Sequence, residues 1–167
     1  MQTPADVMQL HRGPRYARSY GSTVLDHSAE SVWGMVGDFD NYPDYITGVT
    51  ESHIEDDKAG DEVGAVRRVV YYGEEIRQEM TGHSHQGRWY THRGIEPLQW
   101  PGEEDIGPTT YENAIRVAPV TEGGDSFVEW WLDFEADEPA DLERWKAYFD
   151  EQIPLWLVSL REHLDAA

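Results

Sequence analysis

Pro139-Ala140-Asp141-Leu142-Glu143-Arg144-Trp145 opens a helix that the residue pattern carries to about Ala166. Within it Trp145, Tyr148, Phe149, Gln152, Trp156, Leu160 and Leu164 recur at three- and four-residue spacing, so one stripe is predicted to be buried. Pro154 is expected to kink this helix near its middle, because it lacks an N–H and its ring crowds the preceding turn. Upstream, Val128, Trp130, Leu132 and Phe134 alternate with Glu129, Trp131, Asp133 and Glu135. That period of two predicts a strand whose first set faces inward. A buried helix stripe following a half-buried strand calls for one sheet with the helix packed across it.

The rest of the chain supplies that sheet. Strands are predicted at Tyr111–Val117, Arg88–Ile95, Glu75–His83 and Val63–Tyr72, separated by turns at Glu122-Gly123-Gly124-Asp125, His85-Gln86-Gly87 and Gly73-Glu74. Pro97 to Pro108 reads as a loop. Another strand runs from Gly48 to about Glu55. Before it, Asp38 to Tyr45 reads as a turn and a short helix, and Ser28 caps a helix whose apolar stripe is Val32, Trp33, Met35 and Val36. Tyr16 to His27 is the first strand, with Tyr16, Tyr20, Ser22 and Val24 on one face. Residues 1–14 are read as a flexible lead-in and 15–167 as a single domain. The fold class is therefore α+β: a curved antiparallel sheet of about seven strands wrapped around a long C-terminal helix, with two short helices after the first strand. A cavity is expected between sheet and helix, with a hydrophobic small molecule as its partner.

Composition narrows the function classes. The net charge of −20 argues against nucleic acid and anionic membranes as partners, since both reward Lys and Arg. Only Lys58 and Lys146 are lysines, against eleven arginines, a bias that fits either a GC-rich genome or a salt-adapted source. There is no cysteine, hence no thiolate nucleophile and no Cys-based zinc site. No apolar run approaches the ~20 residues that span a bilayer, and the N-terminus lacks a signal-peptide pattern. The chain reads as soluble and cytoplasmic, without membrane insertion. Trp130 and Trp131 cannot share a strand face. One is expected inside and the other outside, where it is available for a homodimer contact.

Ser31-Val32-Trp33 before Gly37-Asp38-Phe39, then Val63-Gly64-Ala65-Val66-Arg67, the Glu79-Met80 strand, Tyr111, and Val128-Glu129-Trp130 resemble the START-type helix-grip superfamily over roughly residues 16 to 165. Bacterial polyketide cyclase/dehydrases, plant abscisic-acid receptors and birch-pollen allergen proteins belong to it. The resemblance implies an apolar cavity for polyketides, lipids, hormones or similar ring systems, used without a cofactor. It would direct Arg67, Val69 and Tyr71, Tyr111 and Asn113, Trp130 and Leu132, and Tyr148, Gln152 and Trp156 into that cavity, with Tyr90 among the ligand-binding residues. An inward acid is common in the family near Gln78-Glu79-Met80, and either Gln78 or Glu79 faces in. The receptors' Ser-Gly-Leu-Pro gate is replaced by Tyr72-Gly73-Glu74-Glu75, against hormone sensing of that type. The Pro97–Pro108 loop is longer and more acidic than in the bacterial cyclases.

The chemistry implied is cyclase, aromatase or dehydratase work on a polyketide or other hydrophobic polycarbonyl substrate by acid/base catalysis. Non-catalytic binding or transport of a hydrophobic small molecule or lipid is the alternative. In the first case Arg67 would supply positive charge near an enolate, Tyr71 and Tyr111 would donate to a carbonyl or protonate a leaving hydroxyl, and Glu79 would be the acid. The plainer readings are a surface Arg67 paired with a carboxylate, and tyrosines that pack in the core with satisfied hydroxyls. A turn of even length would put Glu79, Thr81, His83, Arg88, Tyr90 and His92 on one face, making a His/His/Glu metal site geometrically possible, although a solvated convex face is the commoner use of such a set. Asp38, Asp40 and Asp44 lack the glycine and distal glutamate of a calcium loop and are read as turn and cap residues.

Overall fold

The computed structural model describes residues 2–8, 14–99, 107–108 and 110–167. Seven strands form one antiparallel sheet: β1 (Tyr16–Leu25), β2 (Val49–Ile54), β3 (Val66–Tyr71), β4 (Glu74–Ser84), β5 (Trp89–Gly94), β6 (Thr110–Pro119) and β7 (Ser126–Glu135). Their spatial order is β1-β7-β6-β5-β4-β3-β2. From β2 to β7 the sheet is a meander, and β1 closes it by pairing with β7 from Tyr16↔Glu135 to Leu25↔Ser126. Two helices, α2 (Ala29–Val36) and α3 (Tyr42–Tyr45), carry the chain from one edge to the other. Helix α4 (Pro139–Ala166) lies across the concave face.

Local chemistry accounts for these elements. The Ser28 hydroxyl accepts the Ser31 N–H at 3.1 Å and starts α2. Val128, Trp130, Leu132 and Phe134 are all buried on the inner face of β7. Helix α4 runs unbroken through Pro154 and buries Trp145, Phe149, Ile153, Leu157, Leu160 and Leu164. Ile153 and Leu157 seat against β1 where it lacks a side chain: a Cβ on Gly21 would meet Ile153 Cγ2 at 2.6 Å. Tyr16, Tyr20, Ser22 and Val24 do share a face of β1, and it is the outer one, with Tyr20 and Val24 exposed. Trp131 is also outside, half-buried against the Tyr20 ring. Of the lead-in, residues 1 and 9–13 lie outside the described set. Its earlier part forms one helical turn, α1 (Pro4–Val7), and the Trp89 indole donates to the Gln2 carbonyl at 3.1 Å. No helix among the described residues is long and apolar enough to cross a membrane.

Candidate ligand cavity

Between the concave sheet and α4 lies a cavity of about 750 Å³. Its wall is largely aromatic: Tyr42 of α3, Tyr71 of β3, Tyr111 of β6, Trp130 of β7, and Trp145, Tyr148, Phe149 and Trp156 of α4. Val69, Gln78, Asn113 and Leu132 complete the inner wall. Its charged lining residues, Glu74, Glu75, Arg77, Glu96, Asp137 and Asp141, include five carboxylates and one arginine. That arginine is already committed, bound by Glu55 at 2.8 Å with Glu96 at 3.6 Å. Pro97, Leu98, Gln99 and Gly107 bring the long loop to the cavity, while its residues 100–106 lie outside the described set.

Two polar clusters sit in this wall. On the helix side the Trp156 indole donates to the Tyr71 hydroxyl at 3.1 Å, and Tyr71 donates to Gln152 Oε1 at 3.3 Å. Burial raises the Tyr71 hydroxyl pKa, and Tyr148, joined to it, is raised for the same reason. Gln152 itself is not part of the lining, so it acts by holding Tyr71.

On the sheet side, Arg67 Nε and Nη2 donate to Gln78 Oε1 at 2.9 and 2.7 Å. Gln78 Nε2 then donates to the Tyr111 hydroxyl at 3.3 Å. Tyr111 reaches β4 because β5 carries glycine beneath it: a Cβ on Gly94 would lie 2.1 Å from the Tyr111 ring. Burial raises the Tyr111 hydroxyl pKa far above its ordinary value, so it serves as a donor and not as a base near neutral pH.

Arg67 meets neither expectation for it. It is not a surface residue paired with a carboxylate, and it does not line the cavity. It is fully buried, with its guanidinium carbon 4.0 Å from the Phe39 ring centroid and 3.5 Å from that of Tyr42. Tyr42 lines the cavity, so Arg67 lies behind an aromatic lid. Tyr90 is also behind the wall, fully buried with its hydroxyl 3.3 Å from that of Tyr45.

Of the Gln78/Glu79 alternative, Gln78 faces in. Glu79 points away from the cavity and pairs with Arg93 at 2.7 Å, which leaves it no place in chemistry inside the cavity. The expected common face of Glu79, Thr81, His83, Arg88, Tyr90 and His92 does not form either. Met80 pairs with His92 but Gly82 pairs with Thr91, so a bulge at Thr81 reverses the alternation. His83 now points inward, where its Nε2 meets the Gly37 carbonyl at 3.0 Å. His85 accepts from the Trp33 indole at 3.2 Å and binds Asp61 at 2.8 Å. His92 is enclosed by the Phe39, Tyr42 and Tyr90 rings, and neither ring nitrogen has a hydrogen-bond partner among the described residues. Among the described residues no group of three or more His, Asp or Glu is placed to hold a metal ion.

Sequence reading missed Tyr42, Trp145 and Phe149 as cavity residues. The last two were visible as a helix stripe, but whether a stripe residue meets sheet or cavity depends on helix placement. Tyr42 carried no signal beyond the proline after it. Asp38 and Asp40 serve the turn, as Asp38 Oδ1 accepts the Asp40 N–H at 2.9 Å and Asp40 Oδ1 accepts from Ser52 at 2.6 Å.

A curved seven-stranded sheet gripping a long helix around an aromatic cavity defines a helix-grip ligand-binding protein. The chain belongs to the polyketide cyclase / dehydrase and lipid transport family, whose model matches residues 17–154. Among solved structures, a protein from Thermobifida fusca superimposes with a TM-score of 0.74 at 18% identity, covering 88% of this chain and 92% of its own. The protein XoxI from Bacillus cereus gives 0.72 at 24% identity, covering 89% and 95%. The di-domain ARO/CYC BexL from the BE-7585A biosynthetic pathway gives 0.72 at 12% identity, over 89% of this chain and 46% of BexL. At these identities the likeness is one of fold. No curated protein sequence matches the chain.

Proposed function

We propose that this protein binds a hydrophobic small molecule of polyketide or lipid type in the cavity between its sheet and α4. The observation that carries this reading is the cavity of about 750 Å³ with tyrosine, tryptophan and phenylalanine along its wall, a size and composition suited to a multi-ring or folded-chain ligand. Trp130, Trp145 and Trp156 line the cavity and make its occupancy visible in fluorescence. Titration with polycyclic phenols, linear polyketide mimics and fatty acids should give saturable quenching by at least one class, reduced in amplitude in Trp156→Phe. Unchanged emission with every class would remove the reading.

A second reading, cyclase, aromatase or dehydratase activity without a cofactor, is favoured by the Arg67–Gln78–Tyr111 chain. Donors held in place by a buried cation suit an oxygen that gains negative charge as an enolate forms. A carboxylate at the cavity, such as Glu74 or Asp141, would take the proton from the carbon between two carbonyls, and ring closure would follow with loss of water. Incubation with a poly-β-ketone mimic, followed by mass spectrometry for the product 18 mass units lighter (one water), tests this. Turnover should fall ~10²-fold in Tyr111→Phe if that hydroxyl stabilises the oxyanion, and no product above the buffer rate would leave the binding reading alone.

A further inference from the structure

Given a cavity that binds a hydrophobic small molecule as proposed above, two side chains of β6 add a selectivity to it. Tyr111 and Asn113 are two residues apart, so both side chains emerge on the inner face of the strand. Both line the cavity and both are more than nine-tenths buried. The orientation of each polar group is fixed by a partner that can only donate. Arg67 has no acceptor to offer, so the atom of Gln78 that it grips is the oxygen, and Gln78 turns its NH2 toward Tyr111. The Tyr111 oxygen is therefore the acceptor of that bond, and its own hydrogen is left over. Likewise the Trp130 indole can only donate, and it holds Asn113 Oδ1 at 3.0 Å. The Asn113 NH2 group is thereby turned to the other side. Among the described residues neither the Tyr111 hydrogen nor the Asn113 NH2 has an acceptor.

Buried donors without acceptors are costly, and native proteins leave few of them. Here the two stand two positions apart on one strand, among aromatic side chains of the cavity wall, while Tyr71 spends its hydroxyl hydrogen on Gln152. We infer that Tyr111 and Asn113 form a paired donor site that selects ligands carrying a ketone or quinone oxygen, and that this oxygen enters first and rests against β6. The apolar remainder of the ligand then lies along Trp130, Phe149 and Trp156. A hydrocarbon of the same shape fills the same volume but leaves both donors unmatched, so the site separates carbonyl compounds from hydrocarbons by hydrogen bonding and not by size.

The test pairs 2-acetonaphthone with 2-isopropenylnaphthalene, which differ by C=O against C=CH2, in tryptophan-fluorescence titrations of the wild type, Tyr111→Phe and Asn113→Leu. The wild type should bind the ketone at least about tenfold more tightly than the hydrocarbon. Each variant should lose about three- to tenfold of the preference for the ketone over the hydrocarbon, the size of one neutral hydrogen bond, through weaker ketone binding and through hydrocarbon binding that no longer leaves that donor unmatched. Hydrocarbon binding also reports that each variant keeps its fold and cavity. The infrared C=O stretch of the bound ketone should lie below its value in hexane and move back up in Tyr111→Phe. Equal affinity for the two ligands, or a carbonyl stretch unmoved by either substitution, would overturn the donor site while the cavity reading stands. If neither ligand binds the wild type, the cavity reading falls and the donor site with it.

Discussion

His92 gives the sharpest test of the interior. It is buried in an aromatic box, with Phe39 and Tyr42 packed from the α2–β2 segment, Tyr90 from its own strand, and Arg67 of β3 as the nearby charge. Arg67 is held by the Gln78 and Phe39 oxygens, which bring no net charge to offset its own. Burial, and then the repulsion of Arg67, holds the imidazole pKa well below its ordinary value of 6.5. The sign follows from linkage. Below pH 6.5 the unfolded chain takes up a proton here that the folded protein refuses, so stability is fully present above 6.5 and is lost as pH falls. Each pH unit costs about 1.36 kcal/mol until the folded imidazole itself titrates. Between pH 7.5 and pH 5 the loss from this one residue reaches at most about 2 kcal/mol, the value for an imidazole that stays neutral throughout. His83, also lowered by burial, adds to the same trend, so the substitution has to isolate His92. His92→Leu removes two nitrogens that have no partner among the described residues and leaves an apolar side chain in the box. Its stability at pH 7.5 should stay within about 1 kcal/mol of wild type. Urea denaturation at both pH values should show the wild type losing more stability than His92→Leu, by up to about 2 kcal/mol. Parallel losses in the two proteins would refute the claim that His92 is buried and neutral.

Three further outcomes follow from the geometry. Gly94→Ala sets a methyl group 2.1 Å from the Tyr111 ring. Chemical denaturation should show a loss of about 1–3 kcal/mol, and preference for the ketone over the hydrocarbon should weaken as Tyr111 leaves Gln78. Glu79→Gln breaks only the outer pair with Arg93. It should shift stability by less than about 1 kcal/mol and ligand affinity by less than twofold, a larger affinity change being evidence that Glu79 reaches the cavity. Finally, a net charge of −20 on 167 residues makes the folded state self-repelling at low salt. Raising KCl from 0.1 to 1 M shortens the screening length from about 10 to about 3 Å. A relief of ~1–2 kcal/mol would raise the melting temperature by about 3–6 °C for a chain of this size, and a flat melting temperature would show that the carboxylates are spaced too widely to matter.

Some of this was legible in the chain and some was not, for reasons that differ by element. β7 and α4 were clear because a surface that is half buried writes its own period into the sequence, and both elements are amphipathic along their whole length. β4 misled because alternation counts residues, and the single extra residue at Thr81 exchanges inside for outside from there on. The histidines were therefore assigned to a convex face when two of them, His83 and His92, belong to the interior. Arg67 was misread for a different reason. Charged side chains rarely go fully inside, so both the surface and the cavity-lining expectations assumed solvent beside it. Gly94 was the one local signal of the Tyr111 arrangement, and its meaning depends on a partner seventeen positions later in the chain.

The buried cation and the acidic lining of the cavity divide the work of choosing a ligand. A unit charge roughly 8 Å from Arg67, in surroundings of effective dielectric about 20, would gain about 2 kcal/mol. Five carboxylates among the lining side chains act through water, where each costs an approaching anion about 0.4 kcal/mol at roughly 10 Å before salt screening. Glu75, Glu96 and Asp137 are paired with Arg68, Arg77 and Arg15, so it is Glu74 and Asp141, with the net charge of −20 behind them, that take back part of what Arg67 offers a permanent anion. A neutral carbonyl escapes that opposition on the way in, because it carries no net charge. Once it is against Tyr111, its oxygen feels a hydrogen-bond chain that ends on Arg67 and strengthens as the oxygen becomes more negative. The molecule that gains most from this cavity is thus neutral when it enters and polarised once it is bound.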